Sequence, residues 1–263
     1  MFNNKNIFSL LLIMIVCMAL CSCESTEEIK LKSILKNYSD VFTDSLNECA
    51  TISKNILQNK NEFLHDLFNV LSNDTENLLI LADKKHFLSP NYVPLDLVPL
   101  QKNPYYLLNR NDMSLRKPVE EALKTMAIDA QKQGKKILVS SCYRSYEYQK
   151  KVYERNVRQL GQVAADRESA KPGTSQHQLG SAVDFGSITD DFAETATGKW
   201  LAANAPNYGF SLSFPQGYES VTGYRWESWH YRYIGKKAVE FQQKWFNDVQ
   251  QYMLEFIYAW RSY

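Results

Sequence analysis

From residue 24 onward the apolar positions recur at helical spacing. Ile29, Ile34, Leu35, Val41, Phe42 and Leu46 form one series, and Ile52, Ile56, Leu57, Phe63, Leu64, Leu67, Phe68 and Leu71 a second. Spacing of this kind marks amphipathic helices, and no Pro or Gly interrupts residues 24–89. Two or three helices are predicted, ending near Ser72-Asn73-Asp74, as a spacer or as a layer packed on the body of the protein. Leu78 to Ala82 is an apolar run of strand length. Pro90, Pro94, Pro99 and Pro104 then exclude regular helix and predict an extended, wrapping segment. Leu115 to Gln133 reads as a helix with Val119, Leu123, Met126, Ala127 and Ala130 on one face. Pro118 suits its first turn and Gly134 its end. Ile137 to Cys142 reads as a strand, Tyr146 to Leu160 as a helix closed by Gly161, and Phe192 to Ala205 as a helix before Pro206. Residues 224–234 alternate aromatics like a strand. Ala238 to Tyr258 reads as one helix with Phe241, Trp245, Val249, Tyr252 and Phe256 on a stripe. Helices and strands mix without βαβ alternation, which predicts an α+β fold.

Composition narrows the picture. The chain has 263 residues, with 44% hydrophobic and 22% charged, an ordinary globular composition. Thirty Lys and Arg face 29 Asp and Glu, and this balance argues against a nucleic-acid partner, which calls for a basic excess. Residues 1–22 stand apart: Lys5 precedes a 14-residue apolar run, Ile7 to Leu20. That is short for a bilayer span of about 20 residues and has the form of a secretory signal peptide. The run ends Leu20-Cys21-Ser22-Cys23, similar to a lipobox with Cys23 as the lipidated first residue, although Cys21 is unusual in its position. The expected organisation is a lipoprotein-type signal at 1–22, a helical segment at 23–77 and a second unit at 78–263. Export to the cell envelope and a membrane anchor at Cys23 are the resulting expectations. Cys49 and Cys142 then remain, and two buried thiols are expected rather than a disulfide. No oligomeric state is specified.

Only four histidines occur, and His65 and His86 sit in company that suggests surface or packing roles. His177 lies in Pro172-Gly-Thr-Ser-Gln-His177-Gln-Leu-Gly180-Ser-Ala182-Val-Asp184. The seven-residue separation of His177 and Asp184 suits a loop ligand followed by a strand. If residues 181–184 are extended, Ala182 and Asp184 share a face. Gly180 lets the chain bend back, and Ala182 leaves room beside a metal. The second stretch is Tyr224-Arg-Trp-Glu227-Ser-Trp-His230. Two imidazoles and one carboxylate make the three-ligand set of an open catalytic zinc site. Glu227 adds the base that a bound water requires. In a regular strand Glu227 and His230 would face opposite sides, so Glu227 is predicted to lie in the turn before the strand.

Ser175-Gln-His177-Gln-Leu-Gly-Ser-Ala-Val-Asp184 resembles the SxHxxGxAxD motif of VanY-type zinc D-alanyl-D-alanine carboxypeptidases. Glu227-Ser-Trp-His230 resembles that family's ExWH, and Ser141-Cys-Tyr-Arg144-Ser-Tyr its SGYRSY. The likeness spans roughly residues 78–240 and leaves 24–77 uncovered. It implies a small antiparallel sheet with flanking helices around a zinc site. His177, Asp184 and His230 would hold Zn²⁺, which lowers the pKa of a bound water from ~15.7 to about 7. Glu227 would act as base and then acid, and Arg144 would hold the oxyanion or the substrate's terminal carboxylate. Gln149, Ser175, Phe214 and Trp229 would shape the substrate pocket. Two departures stand out. Cys142 takes a position that is often Gly, and Ser213-Phe214-Pro215 stands where Arg-Tyr-Pro or similar is common, so Phe214 brings no hydroxyl.

The resemblance implies removal of the terminal D-alanine from peptidoglycan stem peptides, a substrate outside the inner membrane and consistent with export. L,D-carboxypeptidase or dipeptidase activity on related peptides is the neighbouring alternative. A zinc-bearing wall-peptide binding module without catalysis is a third, which Glu227 argues against because a binder needs no base.

Overall fold

The computed structural model describes residues 24–41 and 46–263. The signal segment, Cys23 and Phe42 lie outside the described residues. Three helices open the chain, α1 (Thr26–Val41), α2 (Leu46–Gln58) and α3 (Lys60–Asn73). Next come β1 (Leu97–Pro99), β2 (Tyr106–Leu108), β3 (Ser114–Arg116), α4 (Lys117–Lys132), β4 (Ile137–Ser141), α5 (Tyr146–Leu160) and α6 (Gln162–Glu168). After β5 (Ala182–Phe185) come α7 (Ala196–Asn204), β6 (Phe210–Leu212), the single turn α8 (Glu219–Thr222), β7 (His230–Tyr233), α9 (Lys236–Trp245) and α10 (Gln250–Ser262). The α+β expectation holds. Five strands form a sheet in the order β2-β4-β5-β7-β6, antiparallel except for the parallel β2–β4 pair at one edge, and β1 and β3 form a separate antiparallel ribbon. Among the described residues no helix is long and apolar enough to cross a membrane.

Local chemistry explains most boundaries. Pro118 occupies the first turn of α4, where its missing N–H costs nothing, and Gly134 closes the helix at φ +69°. Ser145 caps α5 by accepting from Tyr148 N. Apolar α4 residues Val119, Leu123 and Met126 pack on Ile137, Val139, Val183, Phe185 and Phe210 of the sheet. A second core joins the two ends of the chain: Leu31, Ile56, Phe63 and Leu67 pack with Phe241, Trp245, Tyr252, Phe256 and Trp260. The N-terminal helices are thus a layer packed on the C-terminal pair. Each such side chain contributes about 1.5–3 kcal/mol on burial.

Four expectations are corrected. Leu78–Ala82 forms no strand, because the carbonyls of Leu78 and Ile80 accept from Arg232 Nη2 at 2.6 and 2.7 Å instead of from a ladder. The strand expected over 224–234 is only His230–Tyr233. The single C-terminal helix is two. Asn247 and Asp248 take φ +51° and +59°, a conformation that Asn and Asp tolerate best after Gly. Gln242 Nε2 seals the break by donating to Asp248 O and Oδ1 at 3.0 and 2.8 Å. The expected helix of 192–205 likewise begins as a 3₁₀ turn, Asp190–Glu194, before α7.

Candidate active site

The sheet register assembles the site. Ser141 on β4 pairs with Asp184 on β5, and Asp184 pairs with His230 on β7. Directly opposite residues share a face, so three polar side chains stand in one row across three strands. His177 enters from the 3₁₀ turn Gln176–Leu179, which Ser175 Oγ caps by accepting from His177 N at 3.3 Å. Gly180 ends that turn at φ +67°, and a Cβ there would meet Arg116 Cγ and Leu97 Cδ2, each at 2.9 Å. No residue but glycine fits both demands. Glu227 lies in the turn before β7, as its spacing from His230 requires, with its carbonyl accepting from His230 N at 3.2 Å.

His177 Nε2 lies 3.2 Å from Asp184 Oδ2, and His230 Nδ1 lies 3.0 Å from Asp184 Oδ1. The outer nitrogens face oxygens that only accept: His177 Nδ1 is 2.7 Å from Cys142 O, and His230 Nε2 is 3.2 Å from Gln176 Oε1. Asp184 on the inner side also only accepts, so a cation between the rings and the carboxylate is what would leave the protons on the outer nitrogens and turn both inner lone pairs toward it. Three side chains that can each offer a lone pair thus converge within 4.8 Å in a buried place, as a divalent cation requires. The donor set, two imidazoles and a carboxylate, suits zinc. The outer hydrogen bonds fix ring orientation as they do in zinc proteins.

Arg144 caps the row. It donates from Nη2 to Asp184 Oδ2 at 2.9 Å, from Nε to Ser141 Oγ at 3.0 Å and from Nη1 to Gln149 Oε1 at 3.3 Å. Burial, together with the Arg144 charge, pushes His177 down to about 4, so the ring is neutral at pH 7. Burial opposes the Asp184 charge, but contacts with His177 and His230 outweigh it and hold the carboxyl well below the usual range. Burial and the Asp184 charge push Glu227 up to about 8, against the pull of Arg144 and Arg225. Its Oε2 stands 3.6 Å from His230 Nδ1.

These groups open on a cleft of about 310 Å³, also lined by Ser175, Phe214, Trp229, Arg155, Ile188 and Arg225. The Phe214 ring packs tilted against His230, centroids 4.8 Å apart. Trp229 lies under Arg225 at 5.6 Å, and Arg225 is tied to Asp190 Oδ1 at 2.7 Å. Gln149 does not line the cleft. It is 1% exposed and braces Arg144, anchored by its own donation to Ala170 O at 2.7 Å. Sequence reasoning missed Ser141, the Cys142 carbonyl, Gln176 and Ser213. Each stands inside a quoted motif, Ser141 and Cys142 before Arg144, Gln176 between Ser175 and His177, and Ser213 before Phe214, but none has a side chain whose type announces a role. Cys49 and Cys142 are free, buried thiols in different cores. A second trio, Asp83, His86 and Glu255, also brings donor atoms within 4.8 Å. Asp83 already accepts from Lys85 N, His86 N, His86 Nδ1 and Gln251 Nε2, and that group anchors a loop.

A mixed sheet carrying a buried His–Asp–His trio, with a carboxylate and a guanidinium beside it, defines a zinc-metallopeptidase fold. Residues 112–236 match the family model described as VanY, D-alanyl-D-alanine carboxypeptidase. That segment is similar to this family and contains Arg144, the His–Asp–His trio and Glu227, and the cofactor of the site is zinc. The putative carboxypeptidase YodJ of Bacillus subtilis is 38% identical over 180 residues, 66% of this chain and 65% of that relative. The chain thus spans just under two thirds of that relative's length. Among solved structures, the LdcB LD-carboxypeptidase superposes with a TM-score of 0.61 at 36% identity, covering 70% of this chain and 87% of that one. A vancomycin-resistance D,D-pentapeptidase VanY in complex with Zn(II) superposes with a TM-score of 0.52 at 29% identity, covering 61% and 89%.

Proposed function

We propose that the protein is a zinc carboxypeptidase that removes the terminal D-alanine from peptidoglycan stem peptides. The observation that carries this reading is Glu227, a cleft carboxylate beside a buried His–Asp–His trio and across from Arg144. His177, Asp184 and His230 hold the zinc. Bound there, zinc would supply Lewis acidity toward the scissile carbonyl and toward a water at neutral pH. Glu227, at about 8 in the metal-free protein, ionises more readily once positive charge enters the trio. Its carboxylate takes the proton of the attacking water and returns it to the leaving amine. Arg144 holds negative charge on the substrate, at the terminal carboxylate or at the developing oxyanion. Ser175, Phe214 and Trp229 form the pocket wall, and Gln149 holds Arg144 in place. The signal at residues 1–22 exports the chain, and lipid on Cys23 tethers it to the membrane facing its substrate.

The family match supports cleavage of a D,D bond. A second reading, cleavage of the L,D bond of a tetrapeptide, is favoured by the higher identity and TM-score to LdcB than to the VanY pentapeptidase. The test is to incubate the zinc-loaded full chain, purified in detergent, with stem tripeptide, tetrapeptide and pentapeptide and to weigh the products. Loss of one alanine from pentapeptide supports D,D cleavage, and loss from tetrapeptide L,D cleavage. Release of two residues together means a dipeptidase. No cleavage with zinc bound defeats the enzymatic reading and leaves the binding module.

A further inference from the structure

Behind His230 lies a chain of buried amides. Gln176 Oε1 is 3.2 Å from His230 Nε2 and accepts from Ser213 Oγ at 2.7 Å. Gln176 Nε2 donates to Gln250 Oε1 at 3.5 Å, and Gln250 Nε2 donates to Ser211 O at 3.4 Å. Gln176, Ser211, Ser213 and Gln250 are each no more than 5% exposed. An amide side chain has nearly the same shape at both ends but opposite hydrogen-bonding sense. A flipped Gln176 would present N–H to His230 Nε2 and force that nitrogen to accept. The ring proton would then sit on Nδ1, facing Asp184, with no lone pair left for a cation. Gln250 Oε1 opposes the flip, because it would meet Gln176 Oε1, acceptor against acceptor. Gln250 is itself oriented by the Ser211 carbonyl, which can only accept.

We propose that Gln176 and Gln250 are positioning residues, a buried amide relay through which helix α10 fixes the metal-binding tautomer of His230. The relay rests on the reading of His177, Asp184 and His230 as the zinc site. Gln250 lies beyond the matched segment 112–236, so the relay ties the C-terminal helical layer to the metal. The break at Asn247-Asp248 is what brings Gln250, the first residue of α10, against Ser211 and Ser213.

The test measures zinc affinity of the full chain in detergent by competition with a chromophoric chelator. Gln176→Leu is expected to weaken binding about 10–100-fold, as loss of an outer partner of a metal-bound His does. Gln176→Glu keeps an acceptor at His230 and should bind more tightly than Gln176→Leu, although its second oxygen meets Gln250 Oε1. Gln250→Leu should weaken binding about 3–10-fold, the net worth of one hydrogen bond. In the Gln176→Glu background it should cause no loss, since a carboxylate has no donor end to turn and the leucine removes the acceptor that opposes it. An equal loss in both backgrounds means that Gln250 acts by packing and overturns the relay, as does unchanged affinity in Gln176→Leu. If Gln250→Leu does not fold, Gln250→Met replaces it, unbranched and of the same reach. A parent that binds no zinc, or a His177→Ala chain that binds as tightly as the parent, defeats the zinc-site reading and the relay with it. Zinc bound by the parent and undiminished in Gln176→Leu defeats the relay alone.

Discussion

The two cores of this molecule are built to opposite rules. The helical layer, where α1–α3 meet α9 and α10, is filled by aromatic and aliphatic side chains. Phe63 alone contacts the rings of Phe241, Trp245 and Phe256 at 5.2–5.4 Å. Its ion pairs stay at the margin, as where Lys244 meets Asp66 at 2.6 Å, and the polar side chains that α9 and α10 do bury, Gln242, Gln250, Gln251 and Glu255, lie outside this apolar cluster. The sheet keeps its apolar side chains on the α4 face and buries Asp184, His177, His230 and Gln176 on the other. Buried polar groups stabilise little and cost much when unpaired. The comparison teaches a division of labour: the layer supplies stability that lets the sheet hold three converging acceptors ready for a cation.

The division can be broken from either side. Glu227→Gln should lower turnover by about 10²–10⁴-fold, the range for a positioned general acid–base. Zinc affinity and thermal midpoint should stay within error of the parent; a variant that retains full turnover removes Glu227 from the mechanism. Phe63→Ala should do the reverse and cost about 3–5 kcal/mol of stability in urea melts. Below its transition its kcat should be unchanged, and a lost kcat would mean that the layer also shapes the site. Zinc at about 100 times its Kd should add about 2.7 kcal/mol to unfolding by mass action, and chelation should remove it. One common transition in calorimetry would show the two cores unfolding together, and a shift confined to one of two transitions would show them separate.

The smallest effect concerns pH. Burial disfavours the Asp66 charge, but hydrogen bonds from Lys244 and Trp245 outweigh it and hold the carboxyl below its ordinary value. A lowered carboxyl stabilises the fold above its unfolded pKa, and that contribution is lost as pH falls through the folded value. Asp66 is partly exposed, so under about 1 kcal/mol is at stake. Asp66→Asn should flatten the acid limb of a stability–pH curve slightly; an unchanged limb would mean that Lys244 and Asp66 do not couple in solution.

Much of the site was legible because its residues cluster in short motifs. Asp184 and His230 emerge from type and spacing, and the turn position of Glu227 from strand geometry alone. Gln149 was assigned to the pocket through the family resemblance, yet only the fold shows that it faces inward and holds Arg144. The break at Asn247-Asp248 carried no Gly or Pro to announce it. Leu78–Ala82 had a strand's composition, but Arg232, 154 residues away, took its carbonyls.

What the sequence determined by itself was local: helices from apolar period and caps, the tight turn at Gly180, and the identity of a two-His, one-carboxylate donor set. These depend on neighbours within a few residues, whose sterics and hydrogen bonds are encoded in order. Only the tertiary structure decided which nitrogen of each histidine faces the metal place. The oxygens that set those tautomers, Cys142 O and Gln176 Oε1, lie 35 and 54 residues from the rings they orient. Tertiary packing also decided that the two ends of the chain share one core, because burial rewards any apolar faces that meet, whatever their separation in sequence.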